Sequence, residues 1–286
     1  MNTITHTPVT FKEIFVASDL SDASTGAINY AKALARHFGS HMMLVHVSEP
    51  IAPVEVPEGT WIEDTYATVA GQVEAAGEAL REEGLSVSAV NAVGSIKGEI
   101  IELIKNSNAD LVVLGTHGRK GVNRFILGSQ AEELARRISR PVLIVGPSAG
   151  PVPSWSWAPT NIVCATSMDP ERVETVSYAC ALAKRVESKL TIVTVTDSKH
   201  QQTHESFVEE FAKELPESAV RYVEVGSEPT DGNPATAIVD VARGSKADLV
   251  IMGAKESYWG ASHLFPGILA QVLAIAHCPV LTVKGQ

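Results

Sequence analysis

Cysteine is scarce in this chain, and its three residues, Cys164, Cys180 and Cys278, show neither C-x-x-C spacing nor a nearby pair of histidines. This arrangement argues against the common zinc and redox motifs and predicts small core residues in a reducing compartment. Long apolar runs are also missing, because no stretch approaches the roughly 20 residues of a membrane span. The first ten residues are polar, without an apolar signal region. We therefore expect a cytoplasmic protein with no metal site and no membrane partner.

Positive charge is in short supply as well. Lys and Arg number 23 against 33 Asp and Glu, which gives a formal net charge of −10. A protein that binds a nucleic-acid backbone needs a basic face, so nucleic acid is not expected as a partner. With 286 residues, 45% of them apolar, the chain is long enough for two domains with a core in each.

Two common phosphate-binding motifs are absent, since neither G-x4-G-K-[ST] nor G-x-G-x-x-G occurs. A different glycine loop follows a buried strand expected at 111–114 and precedes a helix expected at 130–139. Its key positions are Gly115 and Gly118, then nine residues, then Gly128 and Ser129. Glycine lets the backbone take positive φ and approach a ligand, and strand-to-helix loops are where open α/β sheets bind phosphates. The loop is therefore a candidate anion site.

The start of the following helix supports this interpretation. Ser129 and Glu132 form a capping-box pattern, which would turn the free N–H groups and the positive dipole end of the helix towards the loop. The loop also contains a group of basic or potentially basic residues: His117, Arg119, Lys120 and Arg124. The alternative is a long surface loop with a solvated charged face, although loops of this length in compact domains tend to be functional.

Strand and helix patterns alternate along the chain and then start again. Up to residue 145 the order is βαβαβαβαβ, which predicts a doubly wound parallel sheet. Residues 146–160 contain four prolines and two tryptophans and are expected to form a linker. The alternation restarts at residue 161 and includes a helix expected at 205–215.

Short sequence repeats show that the second half is a copy of the first. The segment Ala-Asp-Leu-Val at 109–112 recurs at 247–250, and Pro-Val-Leu at 141–143 recurs at 279–281. Both pairs have an offset of 138 residues, while the first strands of the two halves align at an offset of 148. An internal duplication is therefore the main architectural prediction.

The spacing G-x2-G-x9-G-[ST] after the fourth strand resembles the ATP-binding motif of the universal stress protein family, and every element of it is present in the first half. Both halves look like domains of that family, so the chain is similar to a tandem member. The resemblance implies domains at 1–148 and 159–286 with a linker at 149–158. It implies five parallel strands in the order 3-2-1-4-5 in each domain. It also implies an intramolecular pseudo-dimer, paired antiparallel through the fifth strands, with a further homodimer left open.

The resemblance further implies an adenine nucleotide, ATP or AMP/ADP, with or without Mg²⁺, over the switch point between the first and fourth strands. Residues implied on the ribose and adenine side are Ala17, Asp19 and Val47. Residues implied along the ribose and phosphates are Gly115, His117 and Gly118, and those implied to hold the phosphates are Gly128, Ser129, Gln130 and Ala131. Leu114 and Arg119 complete the implied binding set.

Some of these residues also have simpler explanations. Ser21 is expected to cap the first helix, and Asp19 could simply be part of that cap. Val47 fits a core position in any case, and His117 could be an ordinary exposed histidine. In the linker, Trp155 and Trp157 are expected to anchor the chain to a domain face rather than to stack on a base.

The second half departs from the motif in the register of 138. The replacements are Glu256 for Gly118, Pro266 for Gly128 and Gly267 for Ser129. A carboxylate repels phosphate, and proline removes a backbone donor. Bulky side chains also fall in this loop, namely Tyr258, Trp259, His263 and Phe265. We expect the second site to be closed to ATP.

Three functions fit these patterns. The leading expectation is a stress-response regulatory protein whose ATP-bound and empty states differ in their binding of an unidentified protein partner. The alternative is a slow ATP hydrolase or phosphotransferase; Asp19 is the single acidic candidate near the loop, and no catalytic residue is assigned. A third possibility is a nucleotide-free interaction scaffold, against which the complete motif of the first half argues.

Overall fold

The structure, a computed structural model, describes residues 9–50, 62–116, 129–166, 173–196, 215–216, 219–226, 233–254 and 267–284. The first half contains β1 (Glu13–Ala17), a 3-10 turn (Asp22–Ser24), α1 (Thr25–Phe38), β2 (His41–Ser48), α2 (Ile62–Glu82), β3 (Ser86–Val93), α3 (Ile96–Asn106), β4 (Leu111–Gly115), α4 (Ser129–Arg137) and β5 (Val142–Val145). The second half contains β6 (Asn161–Thr166), α5 (Val173–Val186), β7 (Lys189–Thr196), β8 (Val220–Gly226), α6 (Pro234–Gly244), β9 (Leu249–Gly253), α7 (Ile268–Ile275) and β10 (Val280–Val283). The helix expected at 205–215 lies outside the described residues, except for Leu215.

Local sequence explains where several helices begin and end. Gly39 and Gly84, at φ of 68° and 84°, adopt the left-handed conformation that terminates α1 and α2. Asn233 caps α6 by accepting a hydrogen bond from the Ala235 amide at 3.0 Å, and Pro234 occupies the first helical turn. These short-range signals set the turns between the helices and the sheet.

The described strands form one ten-stranded sheet in the order β3-β2-β1-β4-β5-β10-β9-β6-β7-β8. Within each half, every neighbouring pair runs parallel. Each half therefore has the order 3-2-1-4-5, and the α/β class with a doubly wound parallel sheet in each half is confirmed.

The two halves meet where β5 and β10 pair antiparallel, as expected for the fifth strands. Leu143 lies opposite Leu281, and these residues are equivalent in the duplication because they differ by 138. Each is only 2% exposed. The pairing thus has a local pseudo-twofold axis at this leucine pair, and it covers two apolar edges that would otherwise invite association with other chains.

Helices cover both faces of the sheet, and this sets the position of the candidate site. One core includes side chains from α1, α2 and α5, such as Leu34, Leu80 and Leu182. The opposite core includes side chains from α3, α4, α6 and α7. Crossovers on the two sides of β1 and β4 therefore run along opposite faces, which opens a crevice at the carboxyl ends of these strands.

The repeated Ala-Asp-Leu-Val segments hold the start of the first strand in each half. Asp110 accepts hydrogen bonds from the Lys12 and Glu13 amides at 2.8 and 3.2 Å. Asp248 accepts equivalent bonds from the amides of Thr160 and Asn161, each at about 3 Å. The aspartate was duplicated together with its backbone partners, which gives the sequence repeat a structural reason.

The linker packs along one face of α1. Trp157 is 4% exposed, its ring meets Tyr30 edge to face at 5.1 Å, and its amide donates to the Ala33 carbonyl at 3.1 Å. The Arg36 guanidinium lies 4.5 Å from the ring centroid of Trp155, which is 70% exposed. Trp157 is thus an anchor as expected, whereas Trp155 lies mainly on the surface.

Candidate functional site

The candidate site lies at the carboxyl ends of β1 and β4. Ala17 and Leu114 are direct partners across these parallel strands. Ala17 is the last paired residue of β1. From there the chain turns towards α1 on one face of the sheet, whereas β4 leads on to α4 on the opposite face. In open α/β sheets, this is the place where ligands bind. The structure therefore brings together two of the residues expected from sequence.

Beyond β1 the chain forms a tight polar turn that differs in detail from the expectation. The Asp19 Oδ1 atom accepts hydrogen bonds from the Ser21 amide at 3.1 Å and the Ser21 hydroxyl at 2.6 Å. A 3-10 turn separates Ser21 from α1, so the expectation that Ser21 caps this helix was wrong. Asp19 organises the turn instead, and this orients its carboxylate near the switch point.

A buried polar group beneath this turn was missed by sequence reasoning. The Ser18 hydroxyl lies 2.8 Å from the Ser24 hydroxyl and accepts a bond from the Leu20 amide at 3.0 Å. His46 Nδ1 lies 2.9 Å from the Ser18 carbonyl oxygen, and the imidazole is 8% exposed. The available signal was a histidine within the apolar β2, because a buried polar side chain needs a partner. These contacts fix the backbone on which Asp19 is carried.

The end of β2 forms one wall of the crevice. Val45 is the β2 partner of Ala17, and β2 continues beyond it to Ser48. Val47 therefore projects past the end of β1 and is 9% exposed. It packs in the core on the same face as Leu114, so the structural explanation of Val47 is correct.

The opposite wall begins at the end of β4. Leu114 is 3% exposed, and Gly115 pairs with Val145 of β5. The Thr116 amide then donates to the Val145 carbonyl at 3.2 Å, which keeps the chain along the sheet for one residue more. The second half repeats this bond between the Ala254 amide and the Val283 carbonyl at 2.9 Å. The entry to the glycine loop is thus the same in both copies.

The loop itself lies outside the described residues, including His117, Gly118, Arg119 and Gly128. Its far end is described: α4 begins at Ser129, so the backbone of Ser129 and Gln130 belongs to the first helical turn. Ser129 is thus the first residue of α4, whereas the sequence pattern placed it before the helix as a capping residue. Ala131 is 6% exposed and its side chain packs into the core. Any contact of this residue with a ligand would therefore be made by its backbone.

Ion pairs hold α4 in place. Glu132, expected to complete a capping box, accepts a hydrogen bond from Arg136 one turn later. Glu133 pairs with Lys97 of α3, and the hydrogen bond from Lys97 lowers the pKa of this carboxyl. Arg136 and Arg137 occupy the last turn, where cations favour the negative end of the helix dipole. The acidic residues near the start of α4 are therefore matched by cations.

A cavity of about 500 Å³ lies next to this region, between the start of α1 and the middle of α2. Its lining residues are Leu20, Ser21, Asp22, Thr25, Ile28, Gln72 and Ala76. It is on the α1 and α2 side of the sheet rather than over the switch point. Across the described ranges, no group of three or more His, Cys, Asp or Glu residues could hold a metal ion. In the same ranges, no helix is long and apolar enough to cross a membrane.

These features define a class: a duplicated, doubly wound α/β protein whose first switch-point crevice leads to a glycine loop and the start of a helix. Residues 10–146 and 159–284 each match the Universal stress protein family. Since the matches cover most of the chain, the protein belongs to the universal stress protein family.

Known relatives agree with this assignment. A universal stress protein of Methanocaldococcus jannaschii is 30% identical over 139 residues, which span 47% of this chain and 82% of that protein. The crystal structure of a universal stress protein from Archaeoglobus fulgidus covers 97% of this chain and 98% of its own, with a TM-score of 0.70. At 16% identity, that likeness shows the fold alone. The chain of a universal stress protein solved in complex with cAMP matches 48% of this chain and 97% of its own length, at 22% identity and with a TM-score of 0.38.

Proposed function

We propose that this protein binds one adenine nucleotide, ATP or AMP/ADP with or without Mg²⁺, at the switch point of its first half. The proposal rests on the pairing of Ala17 with Leu114 at the ends of β1 and β4. At this point the connections run to opposite faces of the sheet, and α4 follows the glycine loop. Free amides in the first turn of α4 and the positive end of its dipole suit a phosphate. Membership of the universal stress protein family makes a regulatory role in the cytoplasmic stress response the natural context.

In this proposal the two walls of the crevice contact different parts of the nucleotide. The ribose and adenine would contact Ala17, Asp19 and Val47, and Leu114 would lie beneath them at the end of β4. Gly115, His117, Gly118 and Arg119 follow the ribose and phosphates, and Gly128, Ser129, Gln130 and Ala131 hold the phosphates. The Asp19 carboxylate is already oriented by Ser21, so a ribose hydroxyl would find an acceptor in a preset position.

Residues 1–148 and 159–286 would then be two domains of an intramolecular pseudo-dimer, joined by a linker at 149–158. The second domain binds no ATP, because Glu256 and Pro266 replace the two glycines that a phosphate needs. The bound and empty states of the first domain would then be distinguished by a protein partner. Any hydrolysis is slow compared with dedicated ATPases.

A pair of charge insertions tests the site. Gly118→Glu places the residue of the second half into the first loop, and its side chain and negative charge should weaken ATP binding at least about tenfold, or 1.4 kcal/mol. Gly244→Glu is the matched control, because it adds the same side chain in the second half where nothing lies within 4 Å of a Cβ. Isothermal titration calorimetry with ATP measures both affinities. Equal affinity in two folded variants would refute the proposed placement.

A further inference from the structure

Helix α4 of the first half and α7 of the second are equivalent helices, and they meet beside the pairing of β5 with β10. In the proposed function, α4 is the helix whose first turn holds the phosphates. Its counterpart α7 follows the altered loop and begins at Ile268, with Gly267 as its N-cap residue. The contact therefore joins the two copies of the phosphate-binding element.

An ion pair on α4 packs directly against the start of α7. Glu132 and Arg136 lie one turn apart and pair with each other, with side chains 13% and 27% exposed. A Cβ placed on Gly267 would lie 3.1 Å from Arg136 Nη2 and 3.2 Å from Glu132 Oε1. Such distances are tighter than most Cβ contacts, so a methyl group at position 267 would displace the ends of these two side chains by a few tenths of an ångström.

The contact is asymmetric although the helices are duplicates. In the register of 138, Ala270 and Ala274 replace Glu132 and Arg136. Helix α7 therefore has no ion pair at the equivalent positions that could contact the start of α4. The charged contact runs in one direction, from the helix at the proposed nucleotide site to the helix of the altered copy.

The other end of α7 is fixed to the first half as well. The Ser148 hydroxyl donates to the Ala274 carbonyl at 3.0 Å, and the Gly150 amide donates to the His277 carbonyl at 2.9 Å. Gly146 lies so close to the Leu273 carbonyl that no side chain would fit between them. With its carboxyl end held by the linker, α7 can respond to α4 mainly at its amino end.

We propose that the Glu132–Arg136 pair transmits the state of the nucleotide site to the start of α7, an inference that rests on the proposed function. Phosphate bound to the first turn of α4 would fix the position of this nine-residue helix. Packed helices switch between discrete positions through shifts of about 1–2 Å, and a contact without an intervening Cβ is sensitive to such shifts. Linkage requires reciprocity, so a change at this contact also alters nucleotide affinity.

Two neighbouring arginines provide a matched test. Arg136→Ala removes the contact with Gly267, whereas Arg137→Ala removes an exposed arginine that pairs with Glu133 at 2.9 Å. Both residues pair with a glutamate four positions earlier, and both lie roughly 10–12 Å from Ser129 at 1.5 Å per residue. The two lost charges therefore lie at similar distances from the phosphate. Arg136→Ala also removes the cation paired with Glu132 in the first turn, whereas Glu133 keeps Lys97 in Arg137→Ala, so the exchange of α7 rather than ATP affinity alone reports the contact.

The readouts are ATP affinity by calorimetry and hydrogen exchange of the peptide Ile268–Ile275 with and without saturating ATP, all in the full chain. We expect ATP to slow exchange in the unmodified protein and in Arg137→Ala, but not in Arg136→Ala. We also expect ATP affinity to be about fivefold weaker in Arg136→Ala than in Arg137→Ala. A second variant, Gly267→Ala, should behave like Arg136→Ala, with Gly244→Ala as its unaffected control.

The possible results separate the two proposals. ATP binding without any change in exchange at α7 would overturn the coupling and leave the proposed function standing. Equal responses in Arg136→Ala and Arg137→Ala would also overturn it. Absence of any binding heat in the unmodified protein would overturn the proposed function and the coupling with it.

Discussion

The leucine pair at the pseudo-twofold axis allows a quantitative test of how the halves are joined. Leu143 and Leu281 lie opposite each other in the antiparallel pairing of β5 with β10, and both belong to the same core. We consider Leu143→Ala, Leu281→Ala and the double variant. Because the two positions are structurally equivalent and 2% exposed, the single variants should have similar effects.

The magnitudes follow from burial and geometry. Replacing a buried leucine by alanine costs about 3–5 kcal/mol, from lost apolar burial and the cavity that remains. Directly opposed residues in an antiparallel pair have Cβ atoms about 5 Å apart, so the two cavities would merge. The double variant should therefore lose about 1 kcal/mol less than the sum of the single effects.

Leu44 and Leu190 supply the matched control. Both are fully buried, but they lie on β2 and β7, seven strand positions apart in the sheet. With strands spaced by about 4.8 Å, that separation is roughly 34 Å along the sheet, and the two substitutions should be additive within about 0.5 kcal/mol.

Urea unfolding provides the free energies for both cycles. It should be followed by far-ultraviolet circular dichroism and by tryptophan fluorescence, whose coincidence checks two-state behaviour. Additive effects for Leu143 and Leu281, within the error found for Leu44 and Leu190, would refute the contact at the axis.

Three further predictions concern chemistry. ATP turnover should stay below roughly one per second, the lower range of ordinary enzymes; a faster rate that disappears in Asp19→Asn or His117→Ala would favour the enzyme alternative. All three cysteines are buried, and burial raises the pKa of Cys278 to about 12, so a thiol reagent should label the native chain far more slowly than the urea-unfolded chain. The unfolded thiol ionises near its ordinary value of 9.0 while the folded one stays protonated to about 12. The free energy of unfolding should therefore fall as the pH rises across that interval, which unfolding titrations at several pH values would detect.

Much of the architecture was predictable because it depends on periodic patterns. Alternating apolar runs located the strands, and the duplicated segments gave the offset of 138 that reappears in the pairing of Leu143 with Leu281. The order of the strands came from the family resemblance. The purpose of the repeated aspartates was not visible in the sequence, since their partners are backbone amides about 90 to 100 residues away.

The strands that flank the candidate site were predictable, but the local structure of the turn after β1 was not. The polar turn after β1 depends on side chains that bond to nearby backbone, and Leu20 adopts a φ of 58°, which no pattern of hydrophobicity reveals. The contact of Gly267 with Arg136 depends on how two distant helices approach each other. Comparison of the two halves showed only that Gly267 stands where the first half has Ser129, whereas the structure places Gly267 beside the Glu132–Arg136 ion pair.

Nucleotide stoichiometry in the full chain tests the central claim most directly. Calorimetric titration of ATP into the 286-residue protein should saturate at one equivalent per chain. Under the same conditions, binding in Gly118→Glu should weaken at least about tenfold. The reason is that the first loop keeps its glycines and the start of α4, whereas the second carries Glu256 and Pro266. Two equivalents at saturation, or unchanged binding in a folded Gly118→Glu variant, would contradict the account.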